Sequence, residues 1–108
     1  RDPGVIVLGI GVDDAKGIYG TTTGWQEKYG SDRVFDTPLA EDAMTGMIIG
    51  AAQAGLRPIH AHIRMDFVLL AMNQLVNVAA KSHYMFGGAT SVPIVVRSYI
   101  GRSWGRGP

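Results

Sequence analysis

Val5-Ile-Val-Leu8 is an unbroken aliphatic run near the start of the chain, and it constrains the fold more than any other stretch. With no polar residue alternating in it, such a strand has no side to offer solvent. It suits a parallel sheet covered on both faces. A Gly- and Asp-rich loop follows, and Thr21–Tyr29 reads as a short helix closed by Gly30. Arg33–Phe35 reads as a second short strand, and Pro38 precedes a helix expected over roughly Ala40–Ala54, closed by Gly55. Pro58–Ile63 reads as a third strand, with Ile59, Ala61 and Ile63 on one face and His60 and His62 on the other. From Phe67 to about Tyr84, apolar residues at Leu69, Leu70, Met72, Val76 and Ala80 keep a mostly helical spacing that Gly87-Gly88 ends. Val92–Val96 is the last clear strand. Strands alternating with helices predict an α/β fold, a three-layer α/β/α arrangement with a mostly parallel sheet joined by right-handed crossovers.

The 108 residues predict a single domain over 1–108. With 10 Lys and Arg against 9 Asp and Glu, no strong field draws the chain to nucleic acid or to a membrane. Arg97, Arg102 and Arg106 gather some charge near the C-terminus, read as a solvated tail or a subunit contact. There is no cysteine, so disulfides and thiolate chemistry are excluded, and a reducing cytosol or mitochondrial matrix is allowed. Apolar runs such as Val5–Leu8 and Met47–Ala52 are too short to span a bilayer, and no signal peptide is visible. The chain opens on Arg1-Asp2-Pro3, with a strand starting almost at once, and it stops at Gly107-Pro108 in a Gly/Arg-rich stretch. It reads as a piece of a longer subunit, truncated at both ends.

The segment richest in chemistry is Glu41-Asp-Ala-Met-Thr-Gly-Met-Ile-Ile-Gly-Ala51. It sets a carboxylate at the start of a helical pattern, then Gly46 and Gly50 one turn apart, each followed by an apolar residue. A glycine inside a helix costs about 0.5–1 kcal/mol relative to alanine. Two on one face suggest another backbone in close approach, the alternative being tight packing of the helix on its own sheet. Around this segment lie Arg33-Val-Phe-Asp-Thr-Pro-Leu-Ala40, Gly55-Leu-Arg-Pro-Ile59, Asp66-Phe67, Asn73-Gln74, Asn77 with Ala79-Ala80-Lys81, and Tyr84-Met85 with Gly87-Gly88. In that order, densely from about Gly24 to Arg97, the chain resembles the β subunits of 2-oxo acid dehydrogenase E1 components, the pyruvate, branched-chain and acetoin dehydrogenase group. The matching region of that family is the pyrimidine-binding domain of transketolase-like thiamine diphosphate enzymes.

The resemblance implies a thiamine diphosphate-binding fold and a thiamine diphosphate-dependent oxidoreductase. Such an enzyme decarboxylates a 2-oxo acid and passes the acyl group to the lipoyl group of an acyltransferase, E2. It implies that Glu41 is catalytic: a carboxyl group beside N1′ of the aminopyrimidine, in a poorly solvated place, holds or shares the proton that makes the 4′-imino group basic. Leu39, Ala40, Ala43 and Met44 flank it and are expected to help exclude water. Phe67 matches the aromatic residue that stacks on the pyrimidine, and Leu39 and Ile63 match apolar cofactor contacts. Taken alone, Glu41 also reads as an ordinary helix-start carboxylate and Phe67 as a core phenylalanine.

The Gly-Asp-Gly motif that holds the diphosphate and Mg2+ in this family is absent. The chain is therefore expected to supply the pyrimidine half of a site, with an α subunit supplying the other half in an α2β2 assembly with a second β subunit. No metal ligand is assigned to this chain. Two departures stand out. Ile10 lies where the family carries an acidic residue of a proton relay, with Asp13 and Asp14 displaced, and Ser98-Tyr99-Ile100-Gly101 replaces a common Gly-Pro-x-Gly.

Other readings compete. A non-catalytic assembly or regulatory domain is favoured by Ile10 and opposed by Glu41 and Phe67. A transketolase or deoxyxylulose phosphate synthase would carry both halves of the site on one chain. A dinucleotide site at Gly9-Ile10-Gly11 lacks its third glycine, which falls on Asp14, and a zinc site at His60 and His62 lacks a well-placed third ligand. Hydrogen-bonded, partly buried histidines fit that strand better.

Overall fold

The structure is a computed structural model that describes residues 2–14, 16 and 18–101. Arg102, Arg106 and the Gly107-Pro108 end lie outside the described residues. Four strands, β1 (Val5–Gly9), β2 (Val34–Phe35), β3 (Arg57–His62) and β4 (Val95–Ser98), form one sheet in the order β2-β1-β3-β4. Every neighbouring pair is parallel. The aliphatic run of β1 is central, as a strand with no polar face must be, pairing Val7 with Val34 on one side and Ile59 on the other.

The two faces divide as the alternation of β3 predicts. Ala61 belongs to a core cluster with Val7, Val12, Ile18 and Val34, and Ile59, Tyr99 and Trp25 of helix α1 (Trp25–Tyr29) pack against it. The opposite face carries Leu8, His60 and His62, all buried. It is covered by helix α2 (Glu41–Gln53), whose buried residues are Thr45, Ile48, Ile49 and Ala52. Helices therefore flank the parallel sheet in the expected α/β manner.

Gly46 and Gly50 lie off the sheet-facing stripe of α2. A Cβ at Gly46 would meet the Gln74 side chain at 3.4 Å, and one at Gly50 would meet nothing within 4 Å. Tight packing on the chain's own sheet is thus not what these glycines serve, and among the described residues no backbone of another element comes as close to Gly46 as that side chain does.

Several boundaries depart from expectation for local reasons. Gly24 takes the left-handed conformation with φ 75°, so Thr21–Thr23 form turns and only Trp25–Tyr29 is α-helical. Before it, Ile18–Gly20 makes a 3₁₀ turn, and Thr22 Oγ1 accepts the Ile18 N–H at 3.1 Å. The fourth strand begins at Val95 instead of Val92. Pro93 has no N–H to give a ladder, and the Ile94 N–H turns back to the Val92 carbonyl at 2.9 Å.

The expected helix from Phe67 is instead three segments of different pitch: 3₁₀ over Met65–Ala71, π over Asn73–Ala79, and α3 over Ala80–Met85. The changes of pitch turn the expected apolar stripe outward. Leu69, Leu70, Met72 and Val76 are exposed, while Val68, Ala71 and Ser82 are the buried positions.

Candidate functional site

Parallel sheets gather ligand sites beyond the carboxyl ends of their strands, where loops diverge. Here the loops leaving β1, β2 and β3 meet around a cleft of about 210 Å³. From the first loop comes Ile10; from the second, Thr37, Pro38, Leu39 and Ala40; from the third, Ile63 and Arg64, with Phe67 from the 3₁₀ segment that follows it. Glu41 and Met44 enter from the first turn of α2, and His60 and His62 from β3 itself. The Gly11 N–H donates to Asp36 Oδ1 at 2.7 Å, tying the first loop to the second. Pro38 confines Thr37 to extended backbone and brings α2 in at the end of β2.

All four residues singled out in the sequence, Leu39, Glu41, Ile63 and Phe67, line this one cleft. Glu41 is half-buried beside Asp42 in the first turn of α2, whose N-cap, Ala40, offers no side-chain bond. The flanking shield is thinner than expected: Met44 is half-buried, but Ala43 is exposed and Leu39 is 77% exposed. Residues this close to an open helix start have only one side against the sheet. Phe67 is 38% exposed, with the Arg64 guanidinium 6.0 Å from its ring centre. Ile63 is half-buried. Ile10 also lines the cleft, whereas Asp13 and Asp14 are exposed and lie outside it.

His60 and His62, expected from the sequence as partly buried, hydrogen-bonded histidines, also line the cleft. Both are buried, at 3% and 4% exposure, with ring centres 4.2 Å apart. His60 Nδ1 lies 3.4 Å from Thr45 Oγ1 of α2. His62 Nε2 is buried with no hydrogen-bond partner, a condition shared among the described residues only by Thr90 Oγ1. The expectation of hydrogen-bonded histidines therefore holds for His60 and fails at His62 Nε2. Among the described residues no three His, Cys, Asp or Glu side chains come together as metal ligands. Alternation on β3 signalled the shared face; only the packing of α2 and the third loop could reveal the depth.

Burial, and secondarily the charge of His62, lowers the pKa of His60 from the ordinary 6.5 to about 4. Burial also lowers that of His62, with Glu41's charge opposing the fall. The folded state thus binds fewer protons than the unfolded chain between about pH 4 and 6.5. Stability contributed by the neutral His60 is fully present above pH 6.5 and lost as pH falls towards 4. The loss across the window is at most about 3 kcal/mol. Denaturant unfolding of the full-length protein at pH 7.5 and pH 5 should show it, and His60→Gln should flatten the slope. An unchanged slope in that variant contradicts the assignment.

Comparison with known proteins agrees with this architecture. Residues 1–105 match the family described as "Transketolase, pyrimidine binding domain". The chain is 50% identical over 107 residues to the pyruvate dehydrogenase E1 component subunit beta of Chaetosphaeridium globosum, covering 97% of this chain and 33% of that protein. It is 46% identical over 107 residues to the chloroplastic subunit beta-3 of Arabidopsis thaliana, covering 97% and 26%. To the mitochondrial subunit beta of Bos taurus it is 45% identical over 105 residues, covering 97% and 29%. The chain thus spans about a third or less of the length of these relatives. The parallel sheet, the cleft at its strand ends and the family match along nearly the whole chain together mean that it belongs to the transketolase pyrimidine-binding domain family.

Proposed function

We propose that this chain supplies the pyrimidine half of a thiamine diphosphate site in an E1 β-type subunit. The observation that carries the reading is the convergence of two separate stretches, Leu39 with Glu41 and Ile63 with Phe67, on one cleft beyond the strand ends. The cleft suits an aminopyrimidine: apolar side chains for the ring faces, a carboxylate for a ring nitrogen, and a buried imidazole nitrogen with no partner among the described residues.

When bound, thiamine diphosphate supplies a carbon nucleophile for the 2-oxo acid carbonyl and a sink for the electrons released on decarboxylation. The chain's own contribution is to hold and tune the ring. Glu41 holds or shares the proton at N1′, and an apolar setting strengthens that interaction by removing competing water. Phe67 stacks on the ring and fixes its plane, while Leu39 and Ile63 close against its faces.

In this proposal the diphosphate and Mg2+ are held by an α subunit, and the two chain types assemble as α2β2. The whole enzyme decarboxylates a 2-oxo acid and reductively acylates a lipoyl group on E2. Support for assembly comes from the exposed Leu39 at the cleft and from the exposed Leu69, Leu70, Met72 and Val76. The compartment proposed is a bacterial cytosol or a mitochondrial matrix, and the chloroplastic relative adds a plastid. No helix among the described residues is long and apolar enough to cross a membrane. Ile10 in the cleft favours a second reading, an assembly partner without turnover of its own.

The test is thiamine diphosphate-dependent reduction of an artificial electron acceptor by the full-length protein co-expressed with an α partner. Pyruvate and branched-chain 2-oxo acids serve as substrates. Activity with any of them supports the enzyme; a stable complex with none moves the reading to the assembly partner. Phe67→Ala should weaken cofactor affinity by about tenfold, from lost stacking and burial, with a smaller effect on turnover at saturation. An unchanged Kd counts against stacking.

A further inference from the structure

We propose that His62 is a second polar contact in this cleft: its Nε2, buried and unpartnered among the described residues, hydrogen-bonds the polar edge of an aminopyrimidine held beside Glu41. This role rests on the thiamine diphosphate reading above. Alternation on β3 sends Ala61 into the core on one face and His60 and His62 to the other, under α2. His62 is only 4% exposed and borders the cleft, and its ring is tilted 51° against the neighbouring imidazole. Thr45 reaches that neighbour, so His60 has a use for its polar atom inside the fold and His62 Nε2 has none.

A buried polar atom without a partner is a standing cost to the folded chain, and native structures carry few of them. Burial keeps His62 neutral at neutral pH, with one ring nitrogen donating and the other accepting. Carboxylate and neutral imidazole together present the mixed donor and acceptor set that an aminopyrimidine edge requires. An apolar side chain of the same size would leave the fold content and the ring half-recognised.

The experiment uses the assembled full-length enzyme freed of cofactor, with His62→Met and His62→Gln, two near-isosteric replacements. Equilibrium dialysis should show thiamine diphosphate Kd weakened about tenfold in His62→Met and within about threefold of wild type in His62→Gln. The cofactor-free His62→Met assembly should unfold at the same temperature as wild type or higher, because an unpartnered buried nitrogen has been removed. A merely structural histidine would give the reverse. An unchanged Kd in His62→Met overturns the proposal, as does a lower unfolding temperature or failure to fold with no rescue of affinity by His62→Gln. Glu41→Gln and Phe67→Ala, run in the same dialysis, separate the two failures. If they weaken binding and His62→Met does not, only the role of His62 falls; if none does, the thiamine diphosphate reading falls with it.

Discussion

Glu41→Gln in the assembled enzyme is expected to lower 2-oxo acid turnover by about 10²–10⁴-fold, the usual scale for removing one positioned acid–base group. The amide keeps the shape of the side chain and its place in the first turn of α2, but it cannot hold a proton at a ring nitrogen. Glu41 is half-buried and enters no part of the core, whose members on α2 are Thr45, Ile48, Ile49 and Ala52. The fold should therefore survive: unfolding of the subunit should move by less than about 1 kcal/mol, the range of substitutions outside packed positions. Steady-state turnover and denaturant unfolding of the same preparation check both halves. Near-normal turnover would refute the catalytic role, whereas collapse of the fold would mean the carboxylate is structural.

Gly9→Ala should destabilise the fold more than a methyl group added at any other glycine among the described residues. Gly9 ends β1, pairs with Ala61 in the register of β3, and takes φ 147°, a conformation that side chains rarely adopt. An added Cβ would lie 2.2 Å from the Ala61 carbonyl oxygen and 3.0 Å from its carbon. Both are backbone atoms of a buried central strand, so relief requires parting β1 from β3. Backbone strain and overpacking each cost about 1–3 kcal/mol and here act together, giving an expected loss of about 3–5 kcal/mol. That is a large share of the 5–15 kcal/mol typical of a domain, roughly enough to unfold a marginal one. Chemical denaturation of the full-length protein measures it, and a loss below about 1 kcal/mol would contradict the geometry. The same contact explains Gly9 without a phosphate: the glycine serves the sheet, not a dinucleotide.

What could be read in the sequence was whatever local pattern alone determines. The aliphatic run of β1 announces a strand buried on both faces, and the alternation of β3 assigns His60 and His62 to the face opposite Ala61. Pro38 and the glycine after the helix bracketed α2 to within a residue or two, since one restricts backbone and the other favours a left-handed turn. Pattern failed where tertiary packing decides. Leu69, Leu70 and Val76 promised a buried stripe, yet the changes of helical pitch across Met65–Met85 leave them outside. A 3₁₀ segment, which holds Leu69 and Leu70, has fewer residues per turn and a π segment, which holds Val76, has more, so a spacing counted at 3.6 drifts off the face it began on.

The cleft shows the same division. Leu39, Glu41, Ile63 and Phe67 could be singled out from motif and resemblance, but their meeting place depends on three loops converging beyond the sheet. The isolation of His62 Nε2 has no sequence signal at all, because it follows from what the described neighbouring side chains fail to offer.

If the cleft beside Glu41 holds the aminopyrimidine of thiamine diphosphate while a partner holds the diphosphate, the most direct test is to see the cofactor in place. That requires an experimental structure of the full-length protein in complex with its α partner and thiamine diphosphate. The ring is expected between Phe67 and Leu39, its N1′ against the Glu41 carboxylate, with the diphosphate and Mg2+ on the partner chain. A cofactor lodged elsewhere, or a ring in this cleft with Glu41 turned away from it, would contradict the proposed site.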